Sequence, residues 1–329
     1  MIQRTFMTYV PPPSLMSTYV PTHYRTHTLG EIQSNGAKLL DSEVTVAGFM
    51  EANRGKGAIC FVDLRDGTGK TQIFLKADNV GEAALDMVQR MTRESTLQFT
   101  GTVSEKRPPK LQEGQTPPPP TYEVIASTVT VIAKAAAPLP LGVTDTVNVE
   151  LDTRLDNRFL DLRREHIAAM FRLRGKVLQY GREALINEGF FETHTPKIVA
   201  TATEGGTDLF PMQYFDTPAF LNQSPQLFKQ LCMSGGLERV FEIGPAFRAE
   251  KHDTYRHLNE FISFDIECSW STDDDVMGVL ERMIHHIWQS IADDDESQSY
   301  IARINDFRAS KDEEPIEVIV PELPFPRVS

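Results

Sequence analysis

From Ile262 onward the chain alternates without a break. Ile262, Phe264, Ile266, Cys268 and Trp270 fall on one side, and Ser263, Asp265, Glu267 and Ser269 on the other. A period of two belongs to a β-strand with one buried and one open face. A slip of one residue would turn the whole apolar row to water, so register is strongly specified. Upstream, Val240, Phe241 and Ile243 form a second strand that runs into Phe247-Arg248-Ala249-Glu250, and the polar run KHDTYRH joins the two. The expected hairpin presents Arg248, Glu250, Arg256 and His257 at its turn, and carboxylates and hydroxyls along its open face.

That set of side chains suits a nucleoside triphosphate. Arginine offers a planar fork of donors matched to phosphate oxygens. A glutamate among the cations is wrong for phosphate but right for an exocyclic amine, and Phe261 can stack on a flat ring. A hairpin decorated with surface ion pairs, each worth about 0–1 kcal/mol, would show the same residues. Spacing by itself does not separate these readings.

FRAE followed by RHLNEF resembles motif 2 of the class II aminoacyl-tRNA synthetases. That motif is Phe-Arg-x-Glu, a variable loop, then Arg or His with a Phe four residues later, the spacing of His257 and Phe261. Nearly the whole chain is similar to the archaeal and eukaryotic type of aspartyl-tRNA synthetase. The resemblance implies ATP, Mg²⁺ and L-aspartate as ligands. It makes Arg248 catalytic, holding the α-phosphate and the reacting carboxylate. Arg248, Ala249, Glu250, Arg256, His257, Leu258 and Phe261 would bind ATP. Within that set Glu250 would fix adenine, Phe261 would stack on it, and Arg256 and His257 would take the terminal phosphates.

In NQSPQLFKQLCMSGG, Ser224-Pro225 reads as a helix start with proline at the first position, and Gly235-Gly236 as its end. Gln226 and Lys229 are three apart and share a face. By resemblance Glu204, Gln226, Leu227, Phe228, Lys229 and Arg248 surround the bound aspartate, Glu204 touching its ammonium and Lys229 its side-chain carboxylate. Asparaginyl-tRNA synthetases look similar here but lack that lysine. In a chain without relatives, Lys229 reads equally as a solvated helix lysine, and Glu204-Gly205-Gly206 as an ordinary turn.

From Arg164 to Glu188 the apolar residues Ile167, Met170, Phe171, Val177, Leu178, Ala184 and Leu185 recur at helical spacing, with Gly189 at the end. FFETHTPKI then reads as an extended segment broken by Pro196. This resembles motif 1, and the resemblance implies a homodimer through the 164–196 helix–strand. Periodicity alone is equally consistent with a plain core helix.

In the N-terminal part, strand-like runs at 43–50, 58–65, 70–76, 96–104 and 122–132, with an amphipathic stretch at 80–92 after the third, suit an OB-fold barrel. Such barrels bind single-stranded nucleic acid on aromatic platforms. The resemblance implies that Phe61 stacks on an anticodon base while Gln72 and Glu123 read base edges. Phe61 lies between Cys60 and Val62, so alternation leaves core packing open for it. The implied RNA partner is tRNA(Asp), with tRNA(Asn) left open as a second one.

The expected fold class is α+β. A disordered tail at 1–22 precedes a five-stranded OB-fold anticodon-binding barrel at 23–137 and a hinge at 138–152. A class II antiparallel-sheet catalytic domain with flanking helices occupies 153–329. Residues 292–315 read as acidic and weakly patterned. His285 and His286 are adjacent and point apart, so no metal site is assigned.

The chain has 329 residues and a formal charge of −13. The first 145 residues carry 14 basic and 14 acidic side chains, so the whole deficit lies in the C-terminal part. A global basic footprint is therefore missing, which counts against a nucleic-acid binder driven by net charge. Cys60, Cys232 and Cys268 are odd in number and far apart. With no apolar span and no signal peptide, they fit reduced thiols in the cytoplasm. The third class II motif, the Mg²⁺-binding acids and a later substrate arginine are expected downstream of Ser329. The sequence thus reads as a fragment or truncated frame of an aspartate–tRNA ligase. The alternative is a catalytically incomplete tRNA-binding paralogue.

Overall fold

Alternation in the N-terminal part closes into a barrel. A computed structural model describes residues 21–107, 119–143, 148–203, 208–252, 254 and 257–327. The chain divides into two units, Met1–Leu139 and Pro140–Ser329. In the first, helices α1 (Leu29–Ser34) and α2 (Gly36–Leu39) precede strands β1 (Glu43–Lys56), β2 (Ile59–Arg65) and β3 (Lys70–Lys76). Helices α3 (Ala77–Val80) and α4 (Glu82–Gln89) then lead to β4 (Thr96–Glu105) and β5 (Tyr122–Ala133). The strands close in the order β1-β2-β3-β5-β4, with β3 parallel to β5 and the other pairs antiparallel.

Every second residue points inward: Val44, Val46 and Met50 from β1, Cys60, Val62 and Leu64 from β2, Ile73 and Leu75 from β3. Two boundaries differ from expectation. The amphipathic stretch breaks into α3 and α4 at Gly81, whose φ of +86° takes the chain out of helical geometry. Strand β1 continues six residues past Met50. Its pairing with β2 reaches Lys56–Ile59 beyond the barrel core, where no hydrophobic alternation marks it.

The second unit opens with α5 (Leu151–Asp156), α6 (Arg158–Asp161) and the long α7 (Glu165–Asn187). After it come β6 (Phe191–Glu192), β7 (Ile198–Val199), β8 (Pro211–Tyr214) and β9 (Thr217–Leu221). Helix α8 (Gln226–Ser234), strands β10 (Arg239–Phe247) and β11 (Glu260–Cys268), and helices α9 (Asp273–Asp293) and α10 (Asp295–Ala309) complete it. Strand β10 pairs antiparallel with β11 along its whole length and parallel with β6, while β7-β9-β8 form a separate small sheet. The apolar face of the hairpin packs Phe241, Ile243, Phe264, Ile266 and Cys268 against Ala184 and Leu185 of α7 and Val279 and Met283 of α9.

Trp270 departs from the expected row. Strand β11 ends at Cys268, and Trp270 sits beyond it at φ +58°, 91% exposed. Ser269 N–H still donates to the Glu238 carbonyl at 2.7 Å, in register with the ladder, and the backbone turns at the positive φ of Trp270 itself. Pro225 is the N-cap residue of α8 rather than its first helical residue, with Ser224 Oγ accepting Gln226 N–H at 3.1 Å.

The acidic stretch read as weakly patterned contains α10. Its N-cap Asp294 accepts the Ser297 N–H at 3.0 Å. It is tied to α7 by Lys176, whose amine lies 2.7 Å from Glu296 and 3.2 Å from Asp294. Burial pushes both carboxyls up. Hydrogen bonds from Ser297 and Lys176 to Asp294, and from Lys176 and Tyr300 to Glu296, outweigh it and hold both below their ordinary values. Burial likewise lowers Lys176, but its bonds to Glu296 and Asp294 raise it overall.

Depressed carboxyls stabilise the fold above their unfolded values of 3.8 and 4.5, and that stability is lost as pH falls through the lower folded values. A raised lysine contributes fully below 10.5 and loses its effect as pH rises through its folded value. The α7–α10 clasp is therefore expected to be intact from about pH 5 to 10 and to weaken toward pH 3. Melting curves across pH should show a shallower acid decline for Lys176→Met than for the parent chain. Superimposed profiles would show that the clasp carries no stability.

Candidate active site

The register of the hairpin sorts its side chains. Glu242 stands opposite Asp265, Gly244 opposite Ser263, and Ala246 opposite Phe261. Opposed residues in an antiparallel pair share a face. The open face therefore carries Glu242, Gly244 and Ala246 from β10 and Phe261, Ser263, Asp265 and Glu267 from β11.

One end of this face is built by α8. Lys229 has no exposed surface, so it is not a solvated helix lysine. Its amine bonds Asp265, the Ile266 carbonyl at 3.0 Å and Glu267 at 3.3 Å. An ammonium has three donors, and all three are used. Gln226, one helical turn earlier, donates to the same Glu267 carboxylate at 3.1 Å. The shared face expected of Gln226 and Lys229 is thus directed at β11.

At the other end, the Arg248 guanidinium lies over the Phe261 ring, 5.3 Å from its centroid. Arg248 N–H donates to the Asn259 carbonyl at 3.0 Å. The Asn259 amide, oriented to satisfy both groups, donates to the carbonyls of Arg248 and Glu250 at 3.0 Å. Glu250 lies 3.8 Å from His257 Nε2, and His257 Nδ1 is 2.6 Å from Thr254 Oγ1. Ala249 N–H donates to the Asp208 carbonyl at 3.0 Å, tying the strand end to the chain after Thr207. Between the two ends the floor is Gly244, Ala246 and Ser263. The four residue steps from Phe261 to Asp265 span roughly 14 Å of strand. The result is a trough with small residues in its middle, a cation over an aromatic ring at one end and a buried ammonium among carboxylates at the other.

On the barrel unit, burial resolves the side of Phe61. Cys60, Val62 and Leu64 face the core, so Phe61 faces out. Its ring lies 5.1 Å from that of Phe74, its cross-strand partner. Gln72 donates to Glu123 at 2.7 Å across the parallel β3–β5 pair. Phe61, Gln72 and Glu123 line one open groove of about 440 Å³, together with the cations Arg54, Lys106 and Arg107. The neutral unit thus holds a local cluster of positive charge beside an aromatic platform.

Residues 150–329 match the tRNA synthetases class II (D, K and N), more than half of the chain. The chain belongs to that family. Residues 44–132 match the OB-fold nucleic acid binding domain. Over 304 residues it is 45% identical to an aspartate–tRNA(Asp/Asn) ligase from Methanococcoides burtonii, covering 92% of this chain and 63% of the relative. It is 43% identical to an aspartate–tRNA(Asp) ligase from Thermoplasma acidophilum, covering 88% and 62%. Among solved structures it is similar to the asparaginyl-tRNA synthetase from Pyrococcus horikoshii complexed with asparaginyl-adenylate. The TM-score is 0.70 at 28% identity, covering 84% of this chain and 61% of that one. The chain therefore spans less than two thirds of the length of the curated relatives it matches.

In this class II chain the residues expected at the site fall into several groups. Ala249, Glu250 and His257 stand at the hairpin end described above, and Phe228 is half-buried on α8. Gln226, Lys229, Arg248 and Phe261 are directed at the open face. Leu227 and Leu258 are exposed side chains, away from the packed parts of the trough. Glu204 and Arg256 lie outside the described residues. Asp265 and Glu267 were legible in the sequence only as members of a polar row. Their pairing with Lys229 joins residues 36 and 38 positions apart, which no local pattern reports. Glu242 and Lys197, an ion pair on the same face, gave no signal at all.

Proposed function

We propose that this chain carries the amino-acid-activating and anticodon-reading parts of an aspartate–tRNA ligase. The observation that supports it best is the buried Lys229 ammonium among carboxylates on the same open face as the Arg248–Phe261 pair. An acidic substrate needs a cation in its pocket, and a neutral one does not. Because all three Lys229 donors are filled, a substrate carboxylate reaches the amine by exchange with Glu267, the longer of its two carboxylate contacts at 3.3 Å. Asparagine would trade that ion pair for a neutral amide and leave a buried charge poorly matched.

In the first step an α-carboxylate oxygen of aspartate attacks the α-phosphorus of ATP. A new P–O bond forms, the bond to the β-phosphate bridge breaks, and pyrophosphate leaves. No protein nucleophile takes part. Arg248 holds the α-phosphate and the reacting carboxylate, and its charge meets the negative charge that builds on phosphorus. Phe261 stacks on adenine, Glu250 accepts from its exocyclic amine, and His257 with Arg256 takes the terminal phosphates. Among the described residues no group of three His, Cys, Asp or Glu is arranged to hold a metal ion. No step is assigned to magnesium. In the second step a 3′-terminal hydroxyl of tRNA attacks the carbonyl carbon of the adenylate and AMP leaves.

The barrel groove supplies the RNA contact. Phe61 stacks on an anticodon base, while Gln72 and Glu123 meet base edges. Stacking on an aromatic side chain is worth about 1–3 kcal/mol per base. Phe61→Ala is therefore expected to weaken tRNA(Asp) binding about tenfold or more in a filter-binding assay. The melting temperature should hold, because the ring lies outside the core. Unchanged affinity would remove Phe61 from the interface. A second substrate, tRNA(Asn), is suggested by the name of the Methanococcoides burtonii relative. Charging assays with both tRNAs distinguish the two cases.

Apolar side chains exposed around the motif 1 element, among them Phe159, Leu162, Met170, Phe171 and Phe191, support a homodimer built on the 164–196 helix–strand. No described helix is long and apolar enough to cross a membrane. The deciding experiment is ATP–pyrophosphate exchange with aspartate against asparagine. Exchange with aspartate supports the reading, and exchange with asparagine alone overturns it.

A further inference from the structure

Two lysine–carboxylate pairs stand back to back on the open face of the β10–β11 hairpin. On one strand Asp265 holds Lys229. Directly across the ladder stands Glu242, 1% exposed, whose carboxylate takes the Lys197 amine and accepts the Thr195 N–H at 3.1 Å. Neither Glu242 nor Lys197 has a part in the reaction outlined above.

Opposed side chains in an antiparallel pair stand about 4.5–5.5 Å apart at Cβ, and like charges there repel. Glu242 cannot easily swing away. Its carboxylate lies along the strand over Gly244, where an added Cβ would come within 2.6 Å of Glu242 Oε1. Lys197 is itself anchored. Asn222 N–H donates to the Lys197 carbonyl at 2.9 Å, and the Asn222 amide donates to the Pro196 carbonyl at 2.9 Å. The Glu242 carboxylate is therefore fixed, both of its oxygens engaged by Lys197 and Thr195, and Asp265 stands opposite it across the ladder.

We propose that Glu242 is a positioning residue for the amino-acid pocket. Balanced by Lys197 on one side, its charge repels Asp265 on the other and keeps that carboxylate on Lys229, so the amine is presented at a set place. The consequence for substrate rests on reading Lys229 as the partner of the aspartate side chain. The charge relation itself does not.

The two members of the Glu242–Lys197 pair then act with opposite sign. In Glu242→Gln the repulsion disappears, and the released Lys197 ammonium draws Asp265 away from Lys229. In Lys197→Met the Glu242 charge is unbalanced and presses Asp265 onto Lys229 harder. A pair that merely tethered the Pro196 segment to β10 would fail in the same direction whichever member was removed.

The test is pulsed acylation of lysine amines on the folded chain, read by mass spectrometry, with Lys176 in its Asp294–Glu296 clasp as internal reference. Glu242→Gln is expected to raise Lys229 labelling about tenfold relative to Lys176, and Lys197→Met to leave it at or below the parent level. A rise in both variants, or in neither, overturns the proposal. Should Glu242→Gln not fold, Gly244→Ala supplies a second route, since its methyl displaces the Glu242 carboxylate without changing any charge. Labelling of Lys229 should then rise about threefold, and an unchanged rate overturns the proposal equally. Aspartate-dependent exchange with Lys229→Ala separates this inference from the reading beneath it. Retained aspartate affinity sinks the pocket assignment whatever the labelling shows. Lost affinity with labelling changes of the same sign sinks only the role of Glu242.

Discussion

In a full-length version of the protein, replacing Arg248 by alanine is expected to abolish aspartate-dependent ATP–pyrophosphate exchange. The guanidinium sits over Phe261 at the end of β10, held there by the backbone bond between Arg248 and Asn259. In the proposed reaction it is the group aimed at the charge that develops on the α-phosphate. Removing one preorganised donor of that kind lowers kcat by about 10²–10³-fold, and a full positive charge is expected to matter at least as much. Lysine at this position should rescue little, because the planar fork that spans phosphate and carboxylate oxygens together is lost. Exchange within a few-fold of the parent rate would show that Arg248 is a hairpin arginine and no more.

The second large effect is expected at Lys229. Lys229→Ala should cost most of the affinity for aspartate while ATP binding is retained, because the amine lies at the α8 end of the trough and the proposed nucleotide contacts lie at the other. The structure adds a consequence that the helix sequence does not carry. Asp265 and Glu267 lose their shared cation, and stranding the carboxylates of a largely buried ion pair costs on the order of 3 kcal/mol. The melting temperature should therefore fall together with aspartate affinity. Combining Lys229→Met with Asp265→Asn removes the stranded charge. It should recover much of the stability without recovering the affinity. Equal aspartate affinity in Lys229→Ala, measured by calorimetry at a temperature where the variant is folded, would end the assignment.

Much of the architecture was legible before any coordinates, and the reason is local. Strands β4 and β11 alternate over at least five residues, and Phe241 and Ile243 bracket a polar residue on β10; alternation of that kind states which side chains are buried. Phe241, Phe264 and Ile266 pack on the hairpin's apolar face for that reason. The failures are local too. Trp270 continues the alternation after β11 has ended, because a pattern of side chains cannot register the positive φ at which the backbone turns. Helix α10 has few apolar positions and is held by Lys176 from another helix, so its own sequence says little. The extension of β1 past Met50 exists because β2 pairs with it, not because its residues favour a strand.

By itself the sequence determined the class of fold, the faces of those strands that alternate cleanly, and the cations and aromatic residues carried by the hairpin turn. These are properties of neighbours in the chain, and periodicity or a short motif encodes them. Only the tertiary structure decided that Phe61 faces outward into a groove with Gln72 and Glu123, and that Lys229 is buried rather than solvated. It alone decided that Asp265 and Glu267 are the carboxylates around that amine, with Glu242 and Lys197 behind them. Those relations join residues dozens of positions apart. They arise because an antiparallel register sets side chains opposite one another and a helix lays its polar face across them, and no stretch of sequence contains both partners.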